Sequence, residues 1–190
     1  ACLAYLEKNQ LPEGLMDDIK AHMKALEKKT GKGFGSADNP LLVSVRSGSA
    51  MSMPGMMDTI LNLGLNETSL AGLIKQNANP RFAWDAYRRF IQLFGKIALG
   101  IGDEAFDEKM HAVKKKFGAL QDVDLSADHL KELAGEFLAI IQRHTGKPFP
   151  ADPYEQLEIA VGAVFRSWMG KRAVDYRKQF KINKDMANGT

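Results

Sequence analysis

Cysteine is nearly absent from this chain. Cys2 is the only one in 190 residues, so no internal disulfide and no cysteine-based zinc site can form. The four histidines, His22, His111, His129 and His144, are scattered, without the spacing of a metal pair, and read as solvent-facing helical side chains. A lone thiol suits a reducing cytoplasm. Long apolar runs are also missing. The longer periodic segments carry a charge every few residues, which leaves neither a signal peptide nor a membrane span and removes the membrane as an expected partner. Nor does charge of one sign accumulate: 26 Lys and Arg against 23 Asp and Glu leave a net +3 with no basic stripe. Nucleic acid is therefore not an expected partner, while small anions remain open. There is no internal repeat and no low-complexity tract.

What is present is ordinary globular material, 45% hydrophobic and 26% charged, enough for one core-bearing domain or a large piece of one. No break in composition divides it. The chain opens on "ACLAYLEKN" and closes on "DMANGT" after a basic helix, and it reads as a segment of a longer protein.

Periodicity predicts helices almost throughout. In "PEGLMDDIKAHMKALEKKTG", Leu15, Met16, Ile19, Met23 and Leu26 share one face, with Pro12 near the start and Gly31 as the stop. "KGFGSADNP" is a loop, "LLVSVR" a short buried strand and "TILNLGL" a second strand. From Asn66 on, helices are predicted in "ETSLAGLIKQ", "PRFAWDAYRRFIQLFGKIAL", "DEAFDEKMHAVKKKFG", "SADHLKELAGEFLAIIQRHTG" and, as one long element, "DPYEQLEIAVGAVFRSWMGKRAVDYRKQF". Phe82, Ala86, Phe90, Phe94 and Ile97 form the expected apolar face of the third of these helical segments counted from Pro12, with Arg89 at its border. Val161, Val164, Phe165 and Trp168 point into a core, leaving Arg172 and Arg177 to tie the last helix to neighbouring strands. Lys114 to Lys116 read as a solvated face. The fold class expected is mainly α with a small β portion.

The stretch "RSGSAMSMPGMMDTILNLG" is the most unusual. It sets Met51, Met53, Met56 and Met57 around Pro54 and Gly55, directly after a strand that ends on Arg46. A guanidinium at a strand end, followed by small residues whose backbone can approach a ligand, suits an anion: arginine offers a planar fork of donors, and Ser47, Gly48 and Ser49 can add hydroxyl or N–H donors. The same arginine can equally pair with a carboxylate or face water. Methionines there can be core filler or soft packing for a flat base, and Asp58 can cap a turn or line a pocket. Arg89 has its own alternative, an exposed ion pair with Asp85 four residues earlier on the same helix.

The tract "VRSGSAMSMPGMMDTILNLGLN" resembles the signature of the nucleotide-binding domain in the pyruvate, phosphate dikinase family. The likeness continues through "NPRFAWDAYRRFIQLF" and "AVFRSWMGKRAVDYR" and spans essentially the whole chain. "SMPGMMDTILNLGLN" distinguishes this family from the related phosphoenolpyruvate synthases and the glucan and water dikinases. The resemblance implies the helical subdomain and partial sheet of an ATP-grasp nucleotide-binding domain, over residues 1–190. It implies an enzyme that uses ATP and inorganic phosphate to phosphorylate a carrier histidine, releasing AMP and pyrophosphate, and then converts pyruvate to phosphoenolpyruvate. By the same resemblance Arg46 contacts the ATP phosphates, Arg89 is a second basic residue of that site, and Met57 and Asp58 line the nucleotide pocket.

Parts of the family pattern are missing from these residues: the upstream glycine-rich lysine segment, the downstream strands carrying acidic Mg²⁺ ligands, the phosphohistidine domain and the pyruvate-binding barrel. Mg²⁺ is thus expected as a cofactor of the whole enzyme with its ligands outside this chain, and the phosphohistidine domain of the same protein as a partner. The intact enzyme is expected to be a homo-oligomer, and this segment alone inactive. The competing expectation is a non-catalytic helical binding or interaction module that retains an anion site.

Overall fold

Helix Pro80–Ile97 explains most of the arrangement, and it forms because the sequence supplies both its start and its face. In the computed structural model, which describes residues 1–48 and 53–185, Asn79 caps it by accepting from the Phe82 N–H at 3.0 Å and Pro80 occupies the first turn. Its buried positions are Ala83, Tyr87, Arg88, Phe90, Ile91, Phe94 and Gly95. This corrects the predicted face: Phe82 is 49% exposed, because the stripe that meets the core is rotated toward Ala83 and Tyr87.

In chain order the helices are α1 (Cys2–Lys8), α2 (Leu15–Thr30), α3 (Glu67–Asn77), α4 (Pro80–Ile97), α5 (Asp103–Phe117), α6 (Ala127–Thr145), α7 (Pro153–Ser167) and α8 (Lys171–Gln179). The strands are β1 (Gly33–Phe34), β2 (Pro40–Leu41), β3 (Val43–Arg46) and β4 (Thr59–Leu63). Of the described residues 62% are helical and 7% lie in strands, the mainly α class with a small β portion that the sequence predicts. Capping residues account for the boundaries: Asn66 and Ser69 form a capping box on α3, Ser126 and His129 one on α6, Asp152 caps α7, and Gly31, Gly118 and Gly146 close α2, α5 and α6 in left-handed conformation.

Three elements differ from the sequence expectation. The short α1 shows no usable periodicity, yet Cys2 and Tyr5 on it are buried against Phe165 and Trp168. The long last helix is broken at Trp168–Gly170, and α8 starts afresh after Gly170. "LLVSVR" divides into β2 and β3, and β3 is half-buried with alternating exposure.

The β structure is two small pairs. β1 lies parallel to β2, and β3 antiparallel to β4 with Val43 opposite Leu63, Val45 opposite Ile60 and Arg46 opposite Thr59. Three residues of β3, Val43–Val45, therefore face four of β4, Ile60–Leu63, and the extra residue is accommodated at Leu61–Asn62, where Asn62 takes φ 61°. Such a bulge bends the strand and re-aims its end. Gly64 follows at φ 100°, where a Cβ would meet the Phe34 ring at 2.7 Å and the Leu41 carbonyl at 2.9 Å. Buried Gln156 on α7 locks this corner: its amide oxygen accepts from the Gly64 N–H and its amide nitrogen donates to the Leu65 and Pro150 carbonyls, each at 2.9 Å. Every hydrogen-bonding direction it uses is satisfied inside the protein, so a buried amide is tolerated there.

Two apolar clusters result. The larger joins β4 and α3 to α6 and contains edge-on contacts of Phe90, Phe94 and Phe149, with centroids 5.3–5.7 Å apart, and of Phe106 with Phe137 at 5.0 Å. Such pairs add about 0.5–1.5 kcal/mol each beyond burial. The smaller cluster gathers α1, Met57, Phe165, Trp168 and Ala173. Trp168 is fully buried, donates its indole N–H to the Lys184 carbonyl at 3.0 Å, and lies beneath the Arg177 guanidinium at 4.1 Å. Arg177 binds the Trp168 carbonyl rather than a strand, which corrects its expected role. No helix among the described residues is long and apolar enough to cross a membrane.

Candidate functional site

Arg46 ends β3, is exposed, and has no ion-pair partner among the described residues. The strand ladder fixes its position through the pairing with Thr59. One residue before Thr59 stands Asp58, whose N–H donates to Ser167 Oγ at 3.1 Å while the Ser167 hydroxyl donates to the Val164 carbonyl at 2.7 Å. The Asp58 carboxylate accepts from Arg172 Nη2 at 2.9 Å, and Arg172 also donates to the Gly55 carbonyl at 3.3 Å. Met57 is 8% exposed and packs in the Trp168 cluster, with Met53 and Met56 partly buried against it. Ser49 and Met51, named as parts of this loop, lie outside the described residues. The arrangement is a strand-end arginine without a counter-ion among the described residues, near Asp58, whose backbone and carboxylate are tied down by Ser167 and Arg172.

Arg89 occupies a different environment. Its Nε donates to Asp85 Oδ2 at 3.1 Å and its Nη2 lies 3.9 Å from Asp122 Oδ2, with 59% of its side chain exposed. The adjacent Arg88 is only 3% exposed: it pairs with Asp85 and, at 3.3 Å, with Asp122, while its Nε is buried without a hydrogen-bond partner. Asp122 sits in a single 3₁₀ turn, Asp122–Asp124, pinned by Arg81, which donates to the Asp122 carbonyl at 2.8 Å and to the Leu125 carbonyl at 2.9 Å. Lys114 completes the group by pairing with Asp122. The hydrogen bond from Lys114 holds the Asp122 carboxyl below its ordinary range; the charges of Arg88, Lys114 and Arg89 add to it and outweigh the opposing push of partial burial. Lys114 and Lys116 are thus not merely a solvated face, since Lys116 also pairs with Glu132 at 2.6 Å.

Met57 and Asp58 fall beside the end of β3 with Arg46. No hydrogen bond or ion pair among the described residues links them to the Arg89 group. Sequence reasoning gave no chemistry to Arg172 and did not single out Arg88. Arg172 lies more than a hundred residues from Asp58, so no local spacing could have revealed the pair. Arg88 does stand three residues after Asp85, but spacing alone does not say which of two adjacent arginines is buried.

No group of three or more His, Cys, Asp or Glu side chains among the described residues could hold a metal ion. The carboxylates nearest the arginines do not fit Mg²⁺ either, because Asp58, Asp85 and Asp122 already face guanidinium or ammonium groups.

The comparisons agree with the signature tract. The family model described as "Pyruvate phosphate dikinase, AMP/ATP-binding domain" matches residues 3–188. A pyruvate, phosphate dikinase of Entamoeba histolytica is 58% identical over 96% of this chain and 21% of its own length. Those of Giardia intestinalis and Clostridium symbiosum are 49% and 46% identical, each over 97% of this chain and 21% of theirs. The chain therefore spans about a fifth of the length of the curated relatives it matches. With residues 3–188 matched and the signature folded as a strand-end arginine followed by an anchored loop, the chain belongs to the pyruvate phosphate dikinase AMP/ATP-binding domain family.

Proposed function

We propose that this chain is part of the ATP-grasp nucleotide-binding domain of a cytoplasmic pyruvate, phosphate dikinase. The enzyme phosphorylates a carrier histidine at the expense of ATP and inorganic phosphate, releases AMP and pyrophosphate, and then makes phosphoenolpyruvate from pyruvate. The observation that carries the reading is Arg46, an exposed guanidinium without a carboxylate partner among the described residues, inside a chain matched to the family from residue 3 to 188. Phosphoryl transfer spreads negative charge over the phosphate oxygens, and a planar guanidinium holds that charge without changing protonation. Arg46 orients the ATP phosphates. Arg89 is the second basic residue: more than half exposed, it can exchange Asp85 for a phosphate oxygen at little cost. Met57 and Asp58 shape the pocket indirectly, by anchoring the loop after β3 to Trp168 and Arg172. Mg²⁺ belongs to the whole enzyme, with ligands outside this chain. The phosphohistidine domain of the same protein and a second copy of the enzyme are its partners.

The test is made in the full-length enzyme, with the two half-reactions measured separately. Arg46→Ala and Arg46→Lys should both slow histidine phosphorylation from ATP, the alanine variant by about a hundredfold, the loss of one transition-state contact worth about 3 kcal/mol. Phosphoryl exchange between the histidine and pyruvate should persist. Equal damage to both half-reactions would make Arg46 structural, and the module without catalysis would then be the better reading.

A further inference from the structure

A groove lies between α3, α4 and α6. It consists of two adjoining cavities of about 440 Å³ each that share Glu67, Tyr87 and Leu138 as lining residues. Trp84, Lys131 and Gly135 line the first. It contains none of the residues assigned above to nucleotide or phosphate.

Three features make this more than a gap between helices. Tyr87 is 3% exposed, its side chain lines both cavities, and its hydroxyl has no hydrogen-bond partner among the described residues. The hydroxyl is not sealed from solvent, so a ligand in the groove can reach it as a donor. Burial first, and then the Glu67 carboxylate, push the Tyr87 phenol up to about 12, so the group remains an O–H donor at neutral pH. Lys131 has no carboxylate partner among the described residues, and its ammonium stands 5.7 Å from the centroid of the Trp84 ring. Finally, a Cβ built on Gly135, an exposed position of α6 that lines the first cavity, meets nothing within 4 Å, so a side chain there would project into open space.

The polar groups differ between the two shares of the groove: a free ammonium beside an indole, and a phenol donor beside a carboxylate acceptor. A hydroxyl group on a ligand can accept from Tyr87 and donate to Glu67 together, whereas a second anion there would be repelled by Glu67. We propose that this groove is a second small-molecule site, distinct from the Arg46 site, which takes a planar aromatic monocarboxylate bearing a hydroxyl at its far end. The ring lies along Trp84 and Leu138, the carboxylate meets Lys131, and the hydroxyl sits between Tyr87 and Glu67. The apolar walls supply burial, and the three polar groups fix orientation.

The probe is 6-hydroxy-2-naphthoate, titrated into the protein by calorimetry, with 2-naphthol and 2-naphthoate as partial probes. Saturable binding with Kd on the order of 0.1–1 mM is expected for a ligand of this size. Gly135→Leu fills the groove from a helical position with open space ahead of it and should abolish binding. Lys131→Met, on the surface, should weaken 6-hydroxy-2-naphthoate about tenfold while leaving 2-naphthol unaffected, and Tyr87→Phe should remove the advantage of 6-hydroxy-2-naphthoate over 2-naphthoate. Circular dichroism verifies folding, and Lys131→Met carries the test should Gly135→Leu misfold. No saturable binding at 5 mM, equal affinity in folded Gly135→Leu, no effect of Lys131→Met, or displacement of the probe by ATP would each overturn the proposal.

Discussion

At the end of β3 Arg46 is exposed with no carboxylate partner among the described residues, while on α4 Arg88 and Arg89 are embedded among Asp85, Asp122 and Lys114. Residue type is the same in both regions; the cost of supplying an anion is not. An arriving phosphate finds Arg46 available, must displace Asp85 to gain Arg89, and cannot take Arg88 without breaking the packing around a side chain that is 3% exposed. Charge count alone would treat the three arginines alike. Burial separates them into a free donor, an exchangeable one and a structural one.

The sharpest way to break that ordering is to remove the structural arginine. Arg88→Ala would leave Asp85 and Asp122 facing a vacated, desolvated site, and removing one member of a buried ionic group costs about 3–5 kcal/mol. Arg89→Ala should cost less than about 1 kcal/mol, since it gives up only an exposed pair. Chemical denaturation of the two variants side by side measures the difference, and a loss below about 1 kcal/mol for Arg88→Ala would erase it. Arg46→Ala supplies the opposite case. Its unfolding free energy should stay within about 0.5 kcal/mol of the parent, although the ATP half-reaction falls about a hundredfold. A large stability loss there would mean that Arg46 has a structural role after all.

Acid sharpens the comparison next. Asp122 has its folded-state carboxyl held below the ordinary range, chiefly by Lys114. A depressed carboxyl contributes stability that is fully present above its unfolded value, near pH 3.9, and is lost as pH falls through the lower folded value. Asp122→Asn should therefore cost about 2 kcal/mol at neutral pH, the worth of charge-assisted hydrogen bonds. It should also flatten the acid limb of stability below about pH 4. An unchanged limb would show that other carboxylates set it.

The two regions also differ in how far their sequences announce them. The period of α2 to α7 and the Gly31 stop of α2 were readable, because they depend on neighbours within one or two turns. Phe82 was misplaced because a helical wheel gives relative angles but not the direction of the partner, and the buried stripe runs through Ala83, Tyr87 and Ile91 instead. The break at Trp168–Gly170 was hidden because residues on both sides keep helical spacing, and only the burial of Trp168 against α1 and Arg177 explains the turn. Around Arg46 no period helps: the strand is four residues long, and its meaning came from the tract "SMPGMMDTILNLGLN", not from physics readable in the residues. The pairing of Asp58 with Arg172 connects residues 114 apart and could be seen only in the folded chain.

That pair gives the finest test of the contrast, because it joins the same two residue types as Asp85–Arg88 at a far more exposed place. Asp58 and Arg172 meet at 2.9 Å with side chains 29% and 67% exposed, against 18% and 3% for Asp85 and Arg88. At the surface, water screens the charges and the long arginine side chain loses conformational freedom to hold one geometry, so exposed pairs contribute about 0.2–1 kcal/mol. A double-mutant cycle with Asp58→Ala, Arg172→Ala and the pair should return a coupling in that range. The coupling should shrink further at about 1 M salt, where the screening length falls to about 3 Å. The corresponding Asp85 and Arg88 cycle should return several times more and change little with salt. The Asp58 N–H bond to Ser167 uses the backbone and survives both substitutions, so the loop remains anchored and the cycle reports the ion pair itself. If the Asp58–Arg172 coupling matched that of the buried pair and resisted salt, the end of β3 would be a closed, dry site in the free protein, and the availability of Arg46 to an incoming anion would have to be abandoned.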